Sequence, residues 1–293
     1  MPDQAESLRN MVRAQPPAHR SGLRPTRLIA VASGKGGVGK SNIALNYALA
    51  LQRSGQRVAL LDGDTGFANL DILLGLRPHH SLQDVLEGRV ALREALIPAP
   101  FGLSVVSGGS GALLDQSGAT EQMARFATEL ATLDGLYDRV FIDFGAGFDR
   151  SEANLMSLCD ELLLVSTPEP TALADAYALI KMIAQEGGVP ALQLVINRTR
   201  SVADGAEAAR KLTVAADKFL RVRTHLLGYV LEDSAVARAV SAQTPFLLAE
   251  PHSLAARCVE QLAKNTFLRR DAEPEAVRPR GLRAFLERFA FRR

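Results

Sequence analysis

The sequence predicts an α/β fold in which a mostly parallel, twisted sheet is covered by helices on both faces. Short apolar segments alternate along the chain with longer segments of helical periodicity. The apolar segments are continuous rather than alternating, which is typical of strands buried on both sides. A glycine-rich loop separates the first apolar segment from the first helical one, at residues 34–41. Repeated strand–helix–strand units of this kind form parallel sheets.

The predicted strands are the apolar segments, taken in chain order. They span residues 28–33, 57–62, 103–106, 139–143, 161–165, 192–197 and 226–230. The predicted helices lie between and after these strands. They span residues 42–50, 122–134, 171–185, 205–219 and 253–268. Sheets of this type bind ligands at the carboxyl ends of their strands, so a site is expected at that edge.

Composition places the chain among ordinary soluble proteins. Of its 293 residues 47% are apolar and 23% are charged, and a net charge of +2 favours no class of partner. The sequence has no apolar run long enough to span a membrane, and its first residues do not resemble a secretory signal. Cys159 and Cys258 lack the close pairing of zinc, iron–sulfur or disulfide frameworks, so both are expected to pack as small apolar residues in the cytoplasm.

Shifts in composition divide the chain into four parts. Residues 1–27 are expected to form an arm and a proline- and arginine-rich linker, and residues 28–268 a folded domain. Residues 269–280 are charged and interrupted by proline, which indicates a second linker. Residues 281–293 are expected to form an amphipathic helix.

The glycine-rich loop matches the phosphate-binding pattern G-x-x-x-x-G-K-[ST] at every required position. It consists of Gly34, Lys35, Gly36, Gly37, Val38, Gly39, Lys40 and Ser41, and Asn42 follows it in the first helix. The glycines allow successive backbone N–H groups to face a phosphate, at the positive end of that helix. Lys40 is expected to reach the β- and γ-phosphates, and Ser41 to hold Mg²⁺.

A second lysine in this loop, Lys35, distinguishes it from ordinary phosphate loops. The run Lys-Gly-Gly-Val-Gly-Lys-Ser resembles the deviant Walker A motif of the MinD/ParA ATPases. The resemblance implies ATP as the nucleotide, an ATP-dependent homodimer, and a Lys35 ammonium that reaches the partner's nucleotide. Such a cation would act as an arginine finger does, by stabilising the charge that develops during phosphoryl transfer.

Acidic residues follow two of the predicted strands. Asp62 and Asp64 begin a segment that resembles the family's switch I pattern, D-x-D-x-G-x-x-N-L-D. The resemblance makes Asp64 the residue that activates the attacking water. Asp143 ends another strand as a Walker B acid does, and with Ser41 and Asp62 it is expected to handle Mg²⁺.

Two further segments resemble parts of the same family's nucleotide site. Gly145, Ala146 and Gly147 resemble switch II, whose glycines let the backbone rearrange when the γ-phosphate leaves. By resemblance, Asn197 reads adenine, with Arg198 next to it. The segment 167–171 looks like the family's loop near the nucleotide and dimer interface, but the roles of its Glu169 and Thr171 are left open.

The carboxyl-terminal helix carries an apolar stripe among arginines. Leu282, Phe285, Leu286 and Phe289 have helical spacing, and four arginines accompany a single acid. This pattern fits a reversible peripheral helix on the anionic inner face of the cell membrane. The alternative is a helix that folds back onto the domain, and the two states are compatible if the helix docks and is released.

The amino-terminal arm favours the FlhG branch of the family. Residues 3–9 read D-Q-A-x-x-L-R, which resembles the motif with which FlhG proteins stimulate FlhF, a GTPase of the signal-recognition type. The resemblance assigns this contact to Gln4, Leu8 and Arg9. Gln4 is expected to shape the water at the partner's nucleotide.

The sequence therefore predicts an ATPase switch that controls flagellar number or placement. Other partners implied by the resemblance are flagellar switch-complex proteins or transcription regulators, and no nucleic acid is expected. The alternatives are a MinD-type division regulator, an adaptor with a vestigial ATPase, and a ParA-type partition ATPase that binds DNA through residues such as Arg200, Arg221 and Arg223. Iron–sulfur relatives are set aside because the cysteines lack the required setting.

Overall fold

A computed structural model describes residues 25–64, 70–109, 119–145, 150–270 and 281–291. Its centre is a sheet of eight strands in the order β3-β4-β2-β5-β1-β6-β7-β8. Every neighbouring pair is parallel except β3 and β4. The strands are β1 (Arg27–Ala32), β2 (Val58–Gly63), β3 (Ile97–Pro98), β4 (Ser104–Val106), β5 (Arg139–Phe144), β6 (Glu161–Ser166), β7 (Ala191–Thr199) and β8 (Thr224–Leu231).

Helices cover both faces of this sheet. Those in the described residues are α1 (Lys40–Arg53), α2 (Leu70–Leu74), α3 (Leu82–Leu86), α4 (Leu92–Ala95), α5 (Ala119–Ala131), α6 (Arg150–Leu158), α7 (Pro170–Gln185), α8 (Val202–Ala215), α9 (Ser234–Ser241), α10 (Phe246–Ala249), α11 (Leu254–Arg270) and α12 (Leu282–Phe291). A π-helix at Ala216–Leu220 continues α8, and a 3₁₀ turn occupies Pro100–Gly102.

The core has two halves, one on each face of the sheet. One half packs α3 to α8 and α12 against the sheet, and the other packs α1, α2 and α9 to α11 against the opposite face. Side chains of β1 alternate between the halves, since Leu28 and Ala30 face one and Ile29 and Val31 the other. This two-sided burial explains why the strands read as continuous apolar segments.

The central strands bring the expected acids to the first loop. β1 lies between β5 and β6, with Val31 in register with Asp143. β2 lies on the far side of β5, with Asp62 opposite Asp143. Because parallel strands end at the same edge, the loops that follow β1, β2, β5, β6 and β7 meet there.

The predicted fold class is confirmed, and the seven predicted strands are present with ends shifted by up to two residues. Several short helices were not predicted, namely α2, α3, α4, α6, α9 and α10. The predicted starts of two helices were also wrong by three residues, since α5 begins at Ala119 rather than Gln122 and α8 begins before Gly205. α8 begins at Val202, three residues before Gly205, because the Ser201 hydroxyl caps it by accepting a hydrogen bond from the Asp204 N–H.

Two boundaries of the folded domain differ from expectation. Arg27 is already part of β1 and is buried, and Thr26 donates its hydroxyl hydrogen to the Tyr137 carbonyl at 2.7 Å. At the other end, α11 continues through Arg270, so the predicted linker does not begin at residue 269. The arm residues Gln4, Leu8 and Arg9 and the linker residues 271–280 lie outside the described residues.

The amphipathic helix α12 is docked against α5 and α6. Its stripe residues Leu282, Phe285, Leu286 and Phe289 are 0%, 1%, 4% and 8% exposed. The Arg288 guanidinium lies 3.5 Å from the Asp160 carboxylate, beside the start of β6. The fold-back alternative therefore describes this conformation, and a membrane contact by the stripe would require the helix to undock.

None of the helices in the described ranges has both the length and the apolar character needed to cross a membrane.

Candidate functional site

The glycine-rich loop joins β1 to α1 and owes its shape to two left-handed residues. Gly37 and Gly39 have φ values of +77° and +87°, which L side chains rarely adopt. Gly39 is the N-cap of α1, and its carbonyl accepts the N–H of Ile43 at 3.0 Å. The loop therefore ends at the positive end of a 14-residue helix, where an anion is stabilised.

Gly34 is required for a different reason. A Cβ on this residue would lie 2.2 Å from the backbone carbonyl carbon of Asp175 in α7. The first residue of the loop thus packs directly on the backbone of α7, and this contact leaves no room for a side chain at Gly34. Sequence reasoning assigned the loop glycines to phosphate binding alone and missed this packing.

Lys40 and Asp143 form a buried ion pair at the carboxyl ends of β1 and β5. The Lys40 ammonium lies 2.6 Å from Asp143 Oδ1, and the two side chains are 6% and 0% exposed. The ammonium also donates to the Ser41 hydroxyl at 3.3 Å. Burial raises the pKa of the Asp143 carboxyl above its ordinary value, although Lys40 and Ser41 oppose the shift.

One oxygen of this carboxylate fits a cation. Asp143 Oδ2 is buried and makes no hydrogen bond to the part of the chain that the structure describes. A buried carboxylate oxygen without a partner is costly unless a ligand or water satisfies it. The Ser41 hydroxyl is bonded to the same Lys40 ammonium. Asp143 Oδ2 and the Ser41 hydroxyl are both oxygen ligands, which Mg²⁺ prefers.

Asp62 holds the backbone of the first switch segment. Its Oδ1 accepts the N–H of Asp64 at 3.1 Å, and its Oδ2 accepts the N–H of Leu70 at 3.1 Å. The carboxylate is fully buried and bridges the two ends of residues 64–70, of which 65–69 lie outside the described residues. Both oxygens therefore already serve the loop, and direct metal ligation by Asp62 stays a prediction.

The two predicted switch segments lie side by side. A Cβ on Gly145 would lie 3.3 Å from Asp64 Oδ1. The Asp64 charge also contributes to the raised pKa of Asp143, after burial as the main cause. Asp64 is therefore close to the buried ion pair, as a water-activating carboxylate must be. Ala146 and Gly147 lie outside the described residues.

Asn197 supports the phosphate loop from β7. Its side-chain N–H donates to the Val38 carbonyl at 2.8 Å, and the residue is 8% exposed. A Cβ on Gly39 would lie 2.4 Å from the same amide nitrogen. This contact was not predicted, and adenine recognition by Asn197 stays a prediction. Arg198 next to it has φ +54° and pairs with Glu232 at 3.6 Å.

Asn46 is a structural residue that sequence reasoning missed. It lies one turn after Asn42, whose carbonyl accepts its amide at 2.8 Å. Its side-chain oxygen accepts the N–H of Leu247 at 2.9 Å, which ties α1 to α10. A fully buried asparagine on an otherwise apolar helix face was the available signal.

Lys35 lies on the opposite side of β1 from Lys40. Its ammonium is 3.0 Å from Glu169 Oε2 and 3.0 Å from the Thr171 hydroxyl, at the start of α7. The Lys35 and Glu169 side chains are 40% and 55% exposed. The hydrogen bond and charge of Lys35 lower the pKa of Glu169. One loop thus presents a buried cation to β5 and an exposed cation on the β6 side.

The arginines that a DNA-binding alternative would use do not form one stripe. Arg200 follows β7, at the edge of the sheet that carries the phosphate loop. Arg221 and Arg223 precede β8, at the opposite edge, beside an exposed Phe219. A continuous basic surface through all three arginines is therefore not present.

The fold and the loop match a known family. The family model described as "ParA: NUBPL iron-transfer P-loop NTPase" matches residues 24–267. The chain belongs to the ParA family of P-loop NTPases. Within it, the chain is an ATPase of the MinD/ParA type, as the deviant phosphate loop implied.

Individual ParA-family relatives show the same likeness along most of the chain. The antiactivator FleN of Pseudomonas aeruginosa is 37% identical over 267 residues, 91% of this chain and 94% of FleN. The flagellum site-determining protein YlxH of Helicobacter pylori is 30% identical over 291 residues, 98% of each chain. The septum site-determining protein MinD of Pyrococcus horikoshii, solved with Mg-ADP, superposes with a TM-score of 0.69 at 26% identity, covering 85% of this chain and 99% of that one.

The cysteines of this ParA-family chain are separated by the sheet. Cys159 is buried in the half of the core that contains α6, and Cys258 packs against the other half. Burial raises the pKa of the Cys159 thiol, which disfavours the thiolate. Across the described ranges, no group of three or more His, Cys, Asp or Glu side chains is arranged to hold a metal ion.

Proposed function

We propose that this chain is an ATP-driven dimerising switch that regulates the number or placement of flagella. One relative, YlxH, is named a flagellum site-determining protein, and another, FleN, is named an antiactivator. Both align with nearly the whole chain. The observation that carries the switch itself is the position of Lys35. Its ammonium is exposed, points away from the buried Lys40–Asp143 pair and can be reached by a second copy.

ATP with Mg²⁺ is the ligand that the site fits. Lys40 and the N–H groups of the loop would bind the phosphates, and Ser41 with Asp143 would hold the metal. The metal would supply charge neutralisation at the β- and γ-phosphates. Asp64 accepts a proton from the attacking water, and Asn197 keeps the loop in place through Val38.

In the proposed homodimer, each chain supplies a cation to the nucleotide of the other chain. We propose that Lys35 of each chain stabilises the charge that develops on the nucleotide of the other chain. Molecular mass measured by light scattering, with Mg²⁺ and a nonhydrolysable ATP analogue, tests this. A dimer is expected with the analogue and a monomer with ADP. A chain that remains monomeric when saturated with the analogue contradicts the proposal.

The docked helix α12 couples this switch to the membrane in our proposal. α12 packs on α6, and α6 begins five residues after Gly145 of the second switch segment. A rearrangement of that segment would move α6 and loosen the docking surface. Released, the stripe of Leu282, Phe285, Leu286 and Phe289 would enter the interface of an anionic membrane, on the cytoplasmic side.

Liposome flotation tests the membrane proposal. Vesicles containing anionic phospholipid are expected to bind the full chain with the ATP analogue and to bind it weakly with ADP. A chain that ends at Arg280 is the matched control and is expected to remain unbound in both states. Equal binding by the truncated chain contradicts the proposal.

The amino-terminal arm supplies the output toward a partner GTPase. We propose that Gln4, Leu8 and Arg9 stimulate GTP hydrolysis by an FlhF-type GTPase. The test compares the full chain with a chain that lacks residues 1–27 and with Gln4→Ala. Stimulation is expected only from the full chain. Equal stimulation by the shortened chain excludes the arm, while the dimer test above remains independent of this result.

A further inference from the structure

Glu169 and Thr171 form a defined binding place for the Lys35 ammonium. Both contacts are 3.0 Å long, one to a carboxylate oxygen and one to a hydroxyl. Glu169 is the N-cap of α7, and Thr171 lies in the first turn of that helix. The sequence places these residues near the nucleotide but gives neither of them a task.

Backbone contacts fix the position of Lys35 relative to its two partners. The Lys35 carbonyl accepts the Ser33 hydroxyl at 3.1 Å, and Gly34 packs directly on the backbone of α7. Lys35 therefore belongs to a loop that packs on α7, and its two partners lie at the start of α7. The lysine is held by geometry that the fold sets, rather than by a chance surface encounter.

Glu169 and Thr171 hold the Lys35 ammonium away from the Lys40–Asp143 pair, where the phosphates bound by the same chain are expected. Asp143 lies next to the last residue of β5, Glu169 follows β6, and β1 lies between these two strands. The two lysines of the loop are thus held on opposite sides of β1. Glu169 also balances the positive end of α7 and the nearby Arg198, whose charge contributes to the lowered pKa of Glu169.

We propose that Glu169 and Thr171 are a holding site for Lys35, which must be emptied when a second copy presents its triphosphate. This inference rests on the proposed dimer. Carboxylate and phosphate compete for the same ammonium, so the holding site opposes dimerisation. A symmetric dimer forms only when two such pairs, one in each chain, are broken. Because exposed ion pairs are weak, removing both is expected to lower the dimer dissociation constant only roughly 3- to 20-fold.

Glu169→Gln tests the proposal, because it removes the charge and keeps the shape. The dimer dissociation constant is measured by analytical ultracentrifugation with Mg²⁺ and a nonhydrolysable ATP analogue. It is expected to fall in Glu169→Gln and, by a smaller factor, in Thr171→Val. In a Lys35→Ala background, Glu169→Gln is expected to leave the constant unchanged.

A second measurement needs no dimer. Reductive methylation of Lys35, followed by mass spectrometry of the full chain with Mg-ADP, is expected to be faster in Glu169→Gln, since the ion pair with Glu169 shields the Lys35 amine from the reagent. Equal methylation rates overturn the proposal. So does a weaker dimer in Glu169→Gln, or an equal shift in the Lys35→Ala background, because either result makes Glu169 an interface residue. Failure of the wild-type chain to dimerise instead refutes the proposed function.

Discussion

The two lysines of the phosphate loop differ in exposure and in the burial of their partners, although only four residues lie between them. Lys40 is 6% exposed and pairs with a fully buried carboxylate. Lys35 is 40% exposed and pairs with a carboxylate that is 55% exposed. The loop sequence does not decide this difference. The strands on either side of β1 decide it, because β5 carries the buried Asp143 next to its last residue, whereas β6 leads to the exposed Glu169.

The largest expected effect is on catalysis and comes from the exposed lysine. In Lys35→Ala, kcat for ATP hydrolysis is expected to fall about 10³-fold or more, as when an arginine finger is removed. The free energy of unfolding should change little, because exposed ion pairs contribute little to stability. Steady-state phosphate release and urea unfolding measure the two quantities. Wild-type turnover in a dimeric Lys35→Ala chain contradicts the assignment.

The buried lysine should show the opposite pattern, with a large effect on stability. Lys40→Ala leaves Asp143 buried without its counter-ion, which is expected to lower the free energy of unfolding by about 3–5 kcal/mol. Urea unfolding at neutral pH measures it. The double variant Lys40→Met with Asp143→Asn is the control and should recover part of the loss. A stability loss no larger than that of Lys35→Ala would refute the contrast.

The sequence predicted the parts of this comparison that depend on local pattern. Strand order along the chain, the loop and the acids at the strand ends follow from apolar segments and from the spacing of residues 34–41. Lys40 and Asp143 were placed together because both follow parallel strands that meet at one edge. The deviant lysine also identified the family.

The remaining contacts depend on pairs that are distant in sequence. Asn197 and Val38 are 159 residues apart, and Lys35 and Glu169 are 134 apart. Nothing in either local segment encodes these pairings, which follow from the packing of β6, β7 and α7 around β1. Four of the missed helices, α2, α3, α4 and α10, have only four or five residues, which are too few for a helical period to show.

The third prediction concerns the support of the exposed lysine. Gly34→Ala places a Cβ against the backbone of α7 and is expected to cost about 1–3 kcal/mol or more of unfolding free energy. Gly37→Ala is the matched control, because it faces open space and adds only left-handed strain of about 1–2 kcal/mol. Urea unfolding compares them. If the Gly34→Ala chain is as stable as the Gly37→Ala chain, α7 can shift to accommodate the added Cβ at little cost in free energy, which contradicts the prediction.

The smallest effect is a titration that distinguishes the two carboxylates. The pKa of Glu169 is lowered by Lys35, whereas burial raises that of Asp143. The Lys35–Glu169 interaction is therefore fully present above the ordinary glutamate pKa and is lost as pH falls through the lowered value. Lys35→Ala is expected to raise the Glu169 pKa, measured by carboxyl NMR, while Lys40→Ala leaves it in place. An unchanged Glu169 pKa in Lys35→Ala argues against the pairing.

A mixture of two inactive variants tests most directly whether Lys35 acts on the other chain's nucleotide. Lys35→Ala and Asp64→Ala are each expected to be inactive alone, and both retain the buried Lys40. In a mixed dimer, the Lys35→Ala subunit keeps its own Asp64 and receives Lys35 from its partner. An equimolar mixture should therefore recover about a quarter of the wild-type hydrolysis rate. A mixture as inactive as its components would show that Lys35 serves its own site.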